Sequence, residues 1–137
     1  MTGREVLAMS SSQATTRNVR VEVEARYVPE RSQPKLEKWL FEYRVRISNH
    51  AEETVQLQSR HWIITDANGR REEVRGPGVV GQHPILAPRE TFEYTSFCPL
   101  GTPFGTMQGT YQMVTKDGKT FDAEIAPFTL SEPYSVN

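Results

Sequence analysis

From Val19 to Tyr27 the chain alternates strictly. Val19, Val21, Val23, Ala25 and Tyr27 fall on one side, and Arg20, Glu22, Glu24 and Arg26 on the other. In an extended chain successive side chains point to opposite faces, so this period of two predicts a strand with one buried and one wet face. The pattern returns in Trp39, Phe41, Tyr43, Val45 and Ile47, set against Glu42, Arg44, Arg46 and Ser48. A third run, VQLQSRHWIITD, keeps Val55, Leu57, Ser59, His61 and Ile63 in one phase, but its second face mixes Gln56, Gln58 and Arg60 with Trp62 and Ile64. Further strands are expected at 71–75, ETFEYTSFC, MQGTYQMVT and TFDAEIAPFTL.

Turn chemistry separates these runs. Asp66-Ala67-Asn68-Gly69 and Lys116-Asp117-Gly118-Lys119 are hairpin signals, because Asn-Gly and Asp-Gly tolerate the positive φ such turns need. No window shows sustained helical periodicity, and no repeat is seen. About seven to eight strands with turns every 8–12 residues predict an all-β fold, an antiparallel β-sandwich of immunoglobulin or fibronectin type III kind. A closed barrel is the alternative. The paired cysteines of immunoglobulin domains are missing, since Cys98 is the one cysteine.

The length of 137 residues suits one domain with a real core. Residues 1–17 are polar and small, and are expected to be a flexible N-terminal tail; residues 18–130 form the domain, and 131–137 a C-terminal tail. The net charge of −1 gives no general attraction to nucleic acid or to an anionic membrane. No apolar run approaches the ~20 residues that cross a bilayer as a helix. One unpaired cysteine suits a reducing compartment, and the expected location is cytoplasmic.

The segment RGPGVVGQHP, residues 75–84, carries Gly76-x-Gly78-x-x-Gly81, the outline of a dinucleotide fingerprint. That site needs a helix after the glycines, whose N-terminus holds pyrophosphate. Pro84 and Pro88 forbid such a helix, and Pro77 removes an amide from the run itself. The glycines are therefore expected to let a long connection turn close against the sandwich. A nest of loop amides for a nucleotide or pyrophosphate is the alternative, with Arg75, Gly76, Gly78, Gly81 and Arg89 as its residues.

No other chemistry nominates itself. His50, His61 and His83 lack metal-ligand spacing, and no metal or other cofactor is expected. His61 reads as a hydrogen-bonded structural histidine, and Cys98 as a small buried residue. No catalytic constellation is found, so the chain is not expected to be an enzyme. Trp62, His83 and Phe104 are the residues assigned to a partner surface, because aromatics on mixed faces and in loops are enriched where proteins bind; for Trp62, packing in the core is weighed ahead of that reading.

Longer patterns add a resemblance. Arg60-His61-Trp62-x-Ile64-x-Asp66-x-x-Gly69, then Val74-x-Gly76-x-Gly78-Val79-Val80-Gly81-x-x-Pro84, resembles the ApaG family. So do Pro88-x-x-x-Phe92-x-Tyr94-x-Ser96 and Leu100-x-Thr102-x-x-Gly105-x-Met107-x-Gly109-x-Tyr111-x-Met113. The likeness covers about residues 18–130. Arg89 departs from it where the family commonly has glycine, and Gln82 where glutamate is common. The resemblance implies a fibronectin-III-like sandwich, a genetic link to cobalt and magnesium resistance (hence the family's other name, CorD), and domain contexts that suggest protein binding. It also points to the glycine motif as a site for pyrophosphate, which Pro84 and Pro88 limit to a nest of amides rather than a dinucleotide loop. The expectation is a non-enzymatic module for a protein partner, with small-anion binding at Gly76–Gly81 as the alternative.

Overall fold

The computed structural model describes residues 4–5, 9–133 and 135–136. It is built almost wholly of strands: β1 (Arg4–Glu5), β2 (Ser10–Thr16), β3 (Val19–Tyr27), β4 (Trp39–Asn49), β5 (Val55–Asp66), β6 (Arg71–Pro77), β7 (Ile85–Leu86), β8 (Thr91–Leu100), β9 (Phe104–Thr115), β10 (Thr120–Ser131) and β11 (Ser135–Val136). Two single turns of 3-10 helix, Pro29–Arg31 and Pro34–Leu36, fill the β3–β4 connection. One sheet runs β2-β3-β4-β8, and the other runs β10-β9-β5-β6 with β7 beside β5. All pairings of these nine strands are antiparallel. The result is the expected sandwich.

The alternating residues do what their period requires. Val19, Val21, Val23, Phe41, Val45 and Ile47 are buried from one sheet. Leu57, Met107, Tyr111, Met113, Ile125 and Leu130 meet them from the other. Each such side chain contributes about 1.5–3 kcal/mol by leaving water. Outside, Glu24, Arg44, Arg46 and Glu93 form a solvated cross-strand ladder, and exposed pairs of this kind add roughly 0–1 kcal/mol each.

The expected flexible tail is corrected for residues 10–16. They form edge strand β2, paired with β3 from Ser10↔Ala25 to Thr16↔Val19. The segment has no apolar alternation, but hydroxyls hold it. Ser12 Oγ donates to the Ala126 carbonyl at 2.8 Å, Ser10 Oγ accepts from Thr129 N at 2.9 Å, and Thr16 Oγ1 accepts from Glu124 N at 3.0 Å. Residues 1–3 and 6–8 of that tail lie outside the described residues. At the other end Ser135–Val136 pair with Arg4–Glu5, while 134 and 137 lie outside the described residues.

Those three bonds stitch β2 to β10 and close one side of the sandwich. On the other side the edge strands are β6 and β8, and among the described residues no hydrogen bond or ion pair joins them. The sandwich is shut along one flank and open along the other.

Candidate functional site

The open flank leads into a cleft of about 270 Å³, whose walls include Tyr43, Arg60, Trp62, Glu72, Ser96 and Cys98. Its chemistry follows from one irregularity in β5. Leu57 faces Met113 on β9, but the next pair is Ser59 with Gln112, so Gln58 is an extra residue on β5. A bulge of this kind reverses the phase of everything after it. Val55 and Leu57 point inward before it; Arg60, Trp62 and Ile64 line the cleft after it. The mixed face of the sequence is two half-faces joined at the bulge.

This corrects the assignment of Trp62 to a partner surface and agrees with the reading of it as a core residue. The residue is 3 % exposed and belongs to the core cluster. Its ring meets Tyr43, Tyr111 and Phe128 at centroid distances of 5.3, 6.2 and 6.0 Å in edge-to-face arrangements. Aromatic quadrupoles favour that geometry. The indole Nε1 is buried and has no hydrogen-bond partner. The other tryptophan, Trp39, donates its Nε1–H to Glu132 Oε1 at 3.0 Å.

Arg60 brings a guanidinium to the same inner face. Its Nη1 donates to the carbonyls of Pro77 and Gly78, both at 2.8 Å. The glycine loop therefore presents oxygens, not amides, to a cation. Gly78 N donates to Gln58 O at 2.9 Å, Val79 N to Gln82 O at 2.8 Å and Gln82 N to Val79 O at 2.8 Å. Val79 is fully buried and anchors this small turn, whose central residues Val80 and Gly81 have φ of 43° and 78°. Positive φ at both marks a type I′ turn and explains Gly81 directly. Of the five amides from Gly78 to Gln82, those of Gly78, Val79 and Gln82 are thus used by the backbone itself, which leaves those of Val80 and Gly81.

The arginines expected to assist the loop each lie near a carboxylate. Arg75 lies 3.6 Å from Glu73, and Arg89 lies 3.3 Å from Glu52. The proposed partner residues are also scattered. His83 is exposed and packs near Gly78, whose added Cβ would stand 3.2 Å from its Nε2. Phe104 is 46 % exposed at the start of β9. Ser59 faces Pro77 and Asp66 faces Gly105, so Phe104 and the glycine loop lie near opposite ends of β5, roughly 23 Å apart at ~3.3 Å per residue. Trp62, His83 and Phe104 do not share one surface.

Three tyrosine hydroxyls gather beside the cleft. Tyr94 and Tyr111 share a short hydrogen bond. Burial raises the pKa of Tyr43, Tyr94 and Tyr111, and the nearby Arg60 charge opposes the rise in each. Cys98 is buried as expected, and desolvation pushes its thiol up to about 12. His61 stands on the outer face, where its Nε2 lies 2.7 Å from Glu73 Oε1, as a hydrogen-bonded structural histidine should. That contact is the main cause holding the Glu73 carboxyl below its ordinary value. Among the described residues no three His, Cys, Asp or Glu side chains converge as a metal site would require, and no helix is long and apolar enough to cross a membrane.

The inward Arg60 carried a signal in the sequence: it shares a parity with Trp62 and Ile64. The bulge that makes this parity the inner one carried none.

Comparison with known proteins agrees with the sandwich. The model of the ApaG domain family matches residues 29–115. Protein ApaG of Anaeromyxobacter dehalogenans strain 2CP-C is 58 % identical over 126 residues, covering 92 % of this chain and 99 % of the relative. Protein ApaG of Bordetella pertussis is 55 % identical over 117 residues, covering 85 % and 89 %. The crystal structure of a Bordetella pertussis protein described as ApaA superposes with a TM-score of 0.82 at 53 % identity, covering 86 % of this chain and 96 % of the other.

Proposed function

The chain belongs to the ApaG domain family, and on that footing we propose that it is a non-enzymatic binding module that takes an extended segment of a protein partner along its open flank. The asymmetry of the sandwich carries this reading. One flank is closed by side chain-to-backbone bonds between β2 and β10. The other offers two unpaired strand edges beside a cleft. Unpaired edges accept a further strand, whose backbone supplies affinity while pockets select side chains.

The absence of catalysis is part of the proposal. The one thiol is protonated and buried, and His61 is turned outward onto Glu73. The family's link to cobalt and magnesium would then run through the partner. Small-anion binding at the glycine loop has less support, because the amides of Gly78, Val79 and Gln82 are already bonded.

A photo-crosslinking residue tests the siting. Placed at Thr95, exposed on the β8 edge strand, it should capture partner chains in a native extract. The same group at exposed Asp122 on β10 should capture far less. Equal capture at both positions, or capture at Asp122 alone, sinks the open-flank reading.

A further inference from the structure

Two side chains that line the cleft beside β6 and β8 keep N–H donors without an acceptor. The first is the Arg60 guanidinium. Among the described residues it pairs with no carboxylate within ion-pair distance, and only its Nη1 is engaged, with neutral carbonyls. The second is the buried Trp62 Nε1, which donates to nothing. A buried N–H without an acceptor is costly, so native proteins keep few of them. A cation lying beside aromatic walls in a partly desolvated cleft likewise favours an anionic occupant.

We propose that this cleft receives a carboxylate side chain, aspartate or glutamate, presented by an extended segment of a protein partner. The proposal deepens the reading of the open flank and rests on it. Arg60 supplies charge and a planar fork that suits a carboxylate. Trp62 supplies the neutral donor, once side chains at the mouth yield to let the ligand reach it. Tyr43 and Ser96 line the same volume and offer hydroxyls. The volume of about 270 Å³ suits a side chain and not a folded element. Glu72 also lines the cleft and is exposed. Its negative charge repels an incoming acid and sets a threshold on affinity.

The indole resonances provide the test, because the protein has two tryptophans. Trp62→Phe assigns the cleft indole by its disappearance. The Trp39 indole, bound to Glu132, serves as the internal control. The probes are glutarate, glutaramide and a capped pentapeptide of alternating valine and threonine with a central glutamate, added to full-length protein at fixed ionic strength. The glutamate peptide should move the Trp62 indole N–H, bind at least tenfold tighter than glutarate, and lose at least tenfold in affinity with Arg60→Gln. Arg60→Lys should retain part of the binding, which keeps the test valid if the glutamine variant is poorly folded. Glutarate binding as tightly as the peptide would overturn the partner as source in favour of a small organic acid. Equal shifts from glutaramide, or no shift from either acid, would overturn carboxylate recognition altogether. If the acids fail but Thr95 still crosslinks selectively, the open-flank reading stands and the cleft chemistry falls. If the acids bind and Thr95 does not crosslink selectively, the open-flank reading falls, and this proposal, which rests on it, falls too.

Discussion

The Arg60 guanidinium lies flat against Gly76, its cross-strand partner on β6: a Cβ on that glycine would stand 2.9 Å from Nη2 and 3.0 Å from Cζ. Gly109 occupies the matching position on the other side of β5, opposite Trp62, and there a Cβ would fall on the His61 carbonyl oxygen. The two glycines permit close approach of different things, a side-chain tip and a backbone. Gly76→Ala should therefore cost about 1 kcal/mol or less, since Arg60 moves aside. Gly109→Ala should cost about 3 kcal/mol or more, because strand β5 or β9 must shift. Urea unfolding of the two variants ranks them. Equal losses would mean that the guanidinium is as fixed as the backbone.

Two non-glycine residues hold φ in the left-handed region within the long connection: Val80 at 43° and Arg89 at 73°. Such a conformation costs an L-residue roughly 1–2 kcal/mol, and a β-branched one most. Val80→Asn and Arg89→Gly are each expected to raise stability by about 0.5–1 kcal/mol, the glycine gain being trimmed by unfolded-state entropy. Arg89 stands where the family pattern has glycine, the residue that adopts this conformation most readily. A fall in thermal midpoint for both variants would contradict this account.

The buried tyrosines fix the alkaline limit. An unfolded tyrosine ionises near pH 10, while burial raises Tyr43, Tyr94 and Tyr111 above that value. Groups raised in the folded state contribute stability that is whole below pH 10 and is lost as pH climbs through the folded values. Tyrosinate absorbance from these three should appear together with loss of near-ultraviolet dichroism, not before it. Cys98, pushed up to about 12, should resist iodoacetamide at pH 8 and react once denatured.

Removing residues 1–17 deletes β2 and unseals the closed flank. The three hydroxyl bonds to β10 represent about 1 kcal/mol each, before the β2–β3 ladder is counted. The truncated chain should unfold at markedly lower urea, and β3 should lose amide protection from Val19 to Ala25. Unchanged stability would restore the segment to a dispensable tail.

The seven strands with clear apolar alternation or flanking turns were readable because each buries a regular set of residues. Strand β2 was not. SSSQATT carries no hydrophobic period, and its place depends on hydroxyl partners more than a hundred residues away. The glycine segment was readable as a turn, since Pro84 and Pro88 forbid the helix a pyrophosphate site requires. Its partner Arg60, which holds the Pro77 and Gly78 carbonyls, was not.

By itself the sequence determined the sandwich, its turns and the family, because period-two patterning and turn residues are local properties that act wherever they stand. It did not determine which way Trp62 and Arg60 point. That was decided by one extra residue at Gln58, visible only when β5 is laid against β9. A strand's register is a relation between chains of atoms distant in sequence, and one residue of slip exchanges inside for outside. The open flank arises the same way: β6 and β8 lie at sheet edges because of strand order, and the tertiary structure left a cation and an unpartnered indole between them.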